Sequence, residues 1–196
     1  MGRPRKSSLD EATIEQLIRA GENIFGAQGY HGARLDDVAQ TIGVTRQAIL
    51  YHFKSKGEFY KRVVQAAFGK LQTHIGSAII DGNSFETRLE SVMDSLFGFY
   101  REHPGLAGII VREFIEQSEP DTGVMEGFII PTIDVLEAFV ATHLGKKANQ
   151  RFSVRTAVVT LAMSNVMRSA SGNLANRVWG PEDNLRDLIR VVLLNP

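Results

Sequence analysis

Residues 35–53 read LDDVAQTIGVTRQAILYHF, and the fold is decided by how this stretch is read. Val38, Ile42, Val44 and Ile49 are spaced to face one small core. Ala39 offers a tiny side chain where two steeply crossing helices must approach. Gly43 permits a sharp turn, because only glycine takes a positive φ freely. Val44 plugs the underside of that turn. Thr45 is placed to cap a second helix by accepting from the backbone N–H groups of its first turn. Small residue, glycine, plug and cap at these offsets predict a helix over about 35–42, a turn, and a helix over 45–53. This is a helix-turn-helix, whose second helix enters the DNA major groove. An ordinary helical hairpin is the competing reading.

Working outward, Ser8 and Glu11 have capping-box spacing. Ile14, Leu17, Ile18, Gly21, Ile24 and Phe25 then recur at helical intervals, with Gly29 as the expected stop. Downstream, Ser55 and Glu58 form a second capping box. They open a helix striped by Phe59, Val63, Val64, Ala67, Phe68, Leu71 and Ile75. Asp81-Gly82-Asn83-Ser84 is a turn and cap cluster. Leu89 to Tyr100 stripe another helix, which Pro104-Gly105 ends. Further helices are predicted from Leu106 to about Gln117, from Val124 to Leu144 with a kink or break at Pro131, from Phe152 to about Ser171, and from Glu182 to Leu194. Strand-like alternation is lacking, so the expected class is all-α.

The chain has no cysteine, which removes disulfide scaffolds and thiolate metal sites and favours an intracellular protein. The basic start Met1-Gly2-Arg3-Pro4-Arg5-Lys6 is followed by no apolar run, so it is not read as a secretory signal. The apolar stretches Leu106–Val111 and Ala157–Met163 are too short to cross a bilayer, and no membrane partner is expected. Net charge is zero, but its distribution is uneven. Residues 1–70 hold 11 Lys/Arg against 7 Asp/Glu, and residues 71–196 hold 11 against 15. A basic head on an acidic body fits a nucleic-acid-reading module carried by a second unit. No HExxH or Glu-x-x-His metal pattern, phosphate-cradling glycine loop or GxSxG elbow occurs. Neither enzyme activity nor any metal or cofactor is therefore expected.

Residues 10–60 resemble the DNA-binding region of the tetracycline-repressor (TetR) family. The matching blocks are Phe25-Gly26-Ala27-Gln28-Gly29-Tyr30, Asp37-Val38-Ala39, Gly43-Val44-Thr45 and His52-Phe53-Lys54-Ser55-Lys56, with a weaker echo in Tyr100-Arg101-Glu102-His103-Pro104. The resemblance implies a three-helix helix-turn-helix head over residues 1–55. It implies a helical effector-binding and dimerisation body over 56–196. The expected protein is a cytoplasmic homodimeric repressor on a palindromic operator of double-stranded DNA, released by an apolar or amphipathic small molecule. A helical ligand-binding protein, an activator, or a nucleoid-type binder without effector control are the alternatives. Two positions depart from the family pattern. Ala33-Arg34 stands where Ser or Thr usually caps the second helix, so Arg34 opposes the helix dipole and suits a neighbouring phosphate. Leu50 stands where Tyr is common, with the aromatic displaced to Tyr51.

Arg46 and Gln47 occupy the first turn of the recognition helix, the part that meets base edges; Arg suits guanine and Gln suits adenine. Leu50 suits a thymine methyl. Thr45, Tyr51, His52 and Lys56 are expected to position the helix on the backbone, with a packing role as the alternative for His52. Arg3 and Arg5 suit a narrow minor groove. In the body, the candidate ligand contacts are Met93, Phe97, Tyr100, Phe114, Phe128 and Met163, with Arg112, Glu113 and Asn165 as polar groups in apolar surroundings. Val158, Leu161, Val166, Leu188, Ile189, Val192 and Leu193 suggest burial of the last two helices against a partner, with Trp179 near that interface.

Overall fold

A computed structural model describes residues 10–116, 123–144 and 153–194, and every regular element among them is helical. Helix α1 spans Glu11–Gly32. Its cap is Asp10, which accepts from Thr13 N–H at 2.8 Å, in place of Ser8, which lies outside the described residues. Thr13's hydrogen bonds hold the exposed Asp10 carboxyl below its ordinary pKa. Gly29, at φ 74°, breaks the helix where a stop is expected, but a last turn continues beyond it. Helices α2 (Leu35–Ile42) and α3 (Arg46–Phe53) complete the head. Helix α4 (Lys56–Ile80) is capped by Ser55, which accepts from Glu58 N–H at 3.0 Å. All seven residues of its predicted stripe are buried.

Helices α5 (Phe85–Glu102) and α6 (Pro104–Glu116) follow. A π-helical turn over Met125–Ile129 leads into α7 (Ile130–Leu144), with the Ile130 N–H reaching back to the Met125 carbonyl. The interruption expected at Pro131 therefore appears just ahead of it, where the turn widens before a residue that has no N–H to donate. The run Met125–Leu144, not among the two apolar stretches singled out from sequence, is long and apolar enough, by length and composition alone, to cross a membrane. In this fold it lies against α8 (Val154–Ala170) and buries Leu136, Phe139, Val140 and Leu144. A 3₁₀ turn (Gly172–Leu174) and the short α9 (Ala175–Trp179), neither anticipated, precede α10 (Glu182–Leu194).

Two packing arrangements position everything else. The first is the crossing of α6 over α1, the most extensive helix pair in the molecule. Here backbone meets backbone. A Cβ on Gly105 would stand 2.6 Å from the Glu22 carbonyl oxygen, and one on Gly108 would stand 2.5 Å from that of Gly26. The second is the seating of α10. Leu185, Ile189 and Leu193 are buried, Arg190 holds Glu90 at 2.6 and 2.9 Å, and Arg186 reaches Asp94 at 2.7 Å. Exposed pairs of this kind contribute at most about 1 kcal/mol each, so the apolar face does most of the holding. This corrects the partner-burial expectation for part of its residue set. Val158, Leu161, Val166, Ile189 and Leu193 are already buried within one protomer, Val192 is half-buried, and only Leu188 of the seven stays exposed. An apolar helix face looks the same in sequence whether its own chain or another covers it.

Candidate nucleic-acid interface and interior cavities

The head is built around Ile49 and Val38, both fully buried. Gly43 adopts φ 72°, ψ 27° and ends α2, its N–H directed at the carbonyls of Ala39 and Gln40. Thr45 caps α3 by accepting from Ala48 N–H at 3.2 Å. With Ile49 anchored inward, the first turn of α3 turns outward: Arg46 and Gln47 are exposed, and Tyr51 is 59% exposed one turn later. Arg34 stands exposed at the start of α2 and makes no side-chain cap, while Asp36 and Asp37 in the first turn offset its charge against the dipole.

Leu50 and His52 are half-buried. Leu50 packs against the core, and the His52 ring lies between Tyr51, edge-on at 5.5 Å, and Phe53 at 6.3 Å. Lys56 reaches the His31 carbonyl at 3.4 Å and lies 4.7 Å over the Tyr30 ring, so its ammonium also fastens α4 to the end of α1. Arg3 and Arg5 lie outside the described residues. Lys54 was not singled out from sequence. It is exposed at the end of α3 with φ 58°, the one non-glycine residue with positive φ among those described. That conformation is uncommon for a residue with a Cβ. The signal available in the sequence was its place between a helix end and the Ser55 cap.

Of the body candidates, Met93, Phe97, Tyr100, Met163 and Asn165 line interior cavities. One cavity of about 50 Å³ lies among α4, α5, α6, α7 and α8, with Phe68, Tyr100, Ile110 and Met163 in its wall. A second, of about 60 Å³, lies among α5, α7, α8 and α10, with Met93, Phe97, Leu161 and Leu193 in its wall. Leu96, Leu136, Ala162 and Asn165 border both. A wider hollow of about 220 Å³, edged by Arg101, Arg168 and Glu182, shares Phe97, Tyr100 and Asn165 with them. Phe128 stands at the margin, stacked on Phe68 at 5.6 Å.

Arg112 and Phe114, also candidate ligand contacts, are not brought to these cavities. Arg112 donates to the carbonyls of Gly26 at 3.2 Å and Ala27 at 2.6 Å and pairs with Glu116, so its guanidinium is spent on the α1–α6 crossing. Phe114 is 43% exposed on the outer side of α6. Glu113 is buried and accepts from the Tyr60 hydroxyl. Among the described residues no cluster of three or more His, Cys, Asp or Glu is arranged to hold a metal.

Residues 17–63, which contain this capped and glycine-turned pair of helices, match the family model described as bacterial regulatory proteins, tetR family. Over these residues the chain is similar to that family. The chain is 30% identical over 105 residues to the HTH-type transcriptional activator FasR of Mycolicibacterium smegmatis, covering 54% of this chain and 48% of that protein. It is 27% identical over 85 residues to IcaR of Staphylococcus aureus, a negative transcriptional regulator of a biofilm operon, covering 43% and 44%. The aligned region thus spans about half the length of these relatives. The TetR-like fold extends further. A solved structure of the transcriptional regulator FadR from Bacillus subtilis, in complex with stearoyl-CoA, superposes with TM-score 0.68 at 14% identity, covering 91% of this chain and 97% of that one.

Proposed function

We propose that this chain is a homodimeric transcriptional repressor, acting in the cytoplasm, whose two heads occupy a palindromic operator and which an amphipathic small molecule releases. The observation that carries the reading is the outward first turn of α3, with Arg46 and Gln47 exposed around a fully buried Ile49. In this reading Arg46, Gln47 and Leu50 meet base edges. Thr45, Tyr51, His52, Lys54, Lys56 and Arg34 meet phosphates, and Arg3 and Arg5 extend into the minor groove. The relatives include both an activator and a negative regulator. Repression is the simpler assignment, because occupying a promoter needs no further surface. No catalytic role is proposed.

The head is assigned to residues 1–55 and the body to 56–196, with α4 packed against both α1 and α5. Pairing is assigned to the outer faces of the last helices, where Met167, Leu174, Val178, Leu188 and Val191 are 39–65% exposed. A single head reads too few base pairs for useful specificity, so two are needed. The effector is assigned to the interior cavities. Ligand pockets run to several hundred Å³, and these hold about 50 and 60 Å³. An effector must therefore part the helices to enter, and that gives it the preference for one conformation which release requires. Phe68 of α4 and Ile110 of α6 border the first cavity, so both helices that touch the head would feel the parting.

The test is selection of bound sequences from random DNA by the full chain, with sedimentation of the same preparation. Enrichment of a palindrome with half-sites about one helical turn, roughly 34–36 Å, apart and a dimer at micromolar concentration are expected. A monomer that binds DNA with no sequence preference would contradict the reading. Lys56→Ala should weaken binding to every sequence alike and lower the salt slope by about 1.

A further inference from the structure

The segment that joins α8 to α10 is held in place by little. It runs from Gly172 to Gly180, and the two end residues take positive φ, 51° and 73°. Glycine moves through such conformations without the clash that fixes a residue with a Cβ. None of the residues from 172 to 180 is buried. The elements on either side are anchored. Val166 and Arg168 are buried near the end of α8. At the start of α10, Glu182 pairs with Arg101 at 3.0 Å and Arg186 reaches Asp94 at 2.7 Å. Among the described residues, the side-chain hydrogen bonds that tie the segment down come from a single group. Arg168, 8% exposed, donates to the Gly180 carbonyl at 2.6 Å and to the side-chain oxygen of Asn176. A stretch with no buried apolar side chain and one latch belongs to the low-stability end of a structure, and its glycine ends are suited to act as hinges.

Behind this segment lies the hollow of about 220 Å³, and Gly172 and Ala175 form part of its wall. Tyr100 and Asn165 line the same hollow; Tyr100 also borders the first interior cavity, and Asn165 borders both. They are 5% and 4% exposed, and neither side chain has a hydrogen bond among the described residues. Native proteins rarely keep buried polar groups without partners, and these two stand where the hollow meets the cavities. We propose that residues 172–180 are a hinged strap that admits the effector: Arg168 latches it, and its opening widens the hollow so that the ligand reaches Tyr100 and Asn165 and passes on to the cavities. The proposal rests on the effector reading above and names the way in. Leu174 and Val178, which do not line the hollow, are among the residues assigned to pairing, so opening carries part of that surface with it.

The test is stopped-flow binding of anilinonaphthalene sulfonate, an amphipathic fluorescent probe, to the full chain, with hydrogen–deuterium exchange of the same proteins. Arg168→Met removes the latch and keeps its bulk. It should quicken exchange over residues 172–180 and association of the probe by the same factor, about tenfold or more, with exchange in α4 to α6 unchanged. Gly172→Ala finds open space for its Cβ and strains only the closed turn. It should act in the same direction, several-fold, and it keeps the proposal testable if Arg168→Met fails to fold. Ala175→Trp fills the hollow and should abolish binding of the probe. Faster strap exchange with an unchanged association rate would overturn the proposal. So would exchange quickened alike throughout the body, or a probe signal that survives Ala175→Trp. Those results leave the effector reading standing, since the probe still binds. A wild-type chain that binds its operator but not the probe would strike the effector reading, and the strap with it.

Discussion

The α1–α6 crossing and the centre of the body are both helix-on-helix contacts, yet they are packed in opposite ways. At the crossing, three glycines bring backbones together so closely that a methyl group has no room. Arg112 occupies two carbonyls of α1, and His103 Nδ1 lies 3.1 Å from the Glu22 carboxylate. In the body, α5, α7 and α8 leave two cavities, and Tyr100 and Asn165 in their walls have no side-chain hydrogen bond among the described residues. The first contact fixes the angle at which the head leaves the body, where a small displacement would misplace α3. The second contact keeps space and hydrogen-bonding capacity in reserve. In the proposed reading, rigidity lies where geometry must be kept, and looseness where an effector is to be admitted.

Substitutions that add atoms should separate the two regions most sharply. Gly26→Val places a branched side chain against the backbone of Gly105 and should cost at least about 3 kcal/mol, read as a large fall in denaturant midpoint or failure to fold. Tolerance of this change would break the comparison. Arg112→Met removes the donors to the Gly26 and Ala27 carbonyls. It should cost about 1–3 kcal/mol, and operator affinity should fall beyond what the stability loss explains, because the head is no longer held at one angle. Ala162→Val adds atoms in the body, beside both cavities. Its effect on stability should lie between neutral and about 1 kcal/mol of stabilisation, with a melting temperature raised by at most about 4 °C. A strongly destabilised Ala162→Val protein would mean that the body is packed as tightly as the crossing.

The head was legible because its signals are local. Gly43 at positive φ, the Thr45 cap and the buried Val38 and Ile49 each depend on neighbours a few residues away, and the structure has them as the spacing implied. The α1–α6 crossing was illegible for the opposite reason. Gly26 is separated from Gly105 and Gly108 by some eighty residues, and all three look like ordinary helix glycines until the chain folds. The same distance hid Arg112, which reads as a polar group in an apolar helix and in fact satisfies carbonyls across the crossing. Phe114 sits on the exposed side of α6 although it is a large apolar residue, and the apolar faces of α8 and α10 read alike in sequence whether their own chain or another covers them. Asp10 caps α1 through its bond from Thr13 N–H, a choice that hydrogen-bond geometry makes and spacing alone does not.

The most direct test of the account is the affinity of wild type and Gln47→Ala at matched salt, on the selected operator, on its single-base variants and on nonspecific DNA. Gln47 is exposed in the first turn of α3 beside the small Ala48, which lets the helix approach base edges, and its amide matches the adjacent acceptor and donor of adenine. The account predicts a loss of roughly 1–3 kcal/mol on the operator, loss of preference at one symmetric pair of positions, and little change on nonspecific DNA, where phosphate contacts dominate. An equal loss on every sequence, or no loss on any, would contradict the claim that the outward first turn of α3 reads the operator.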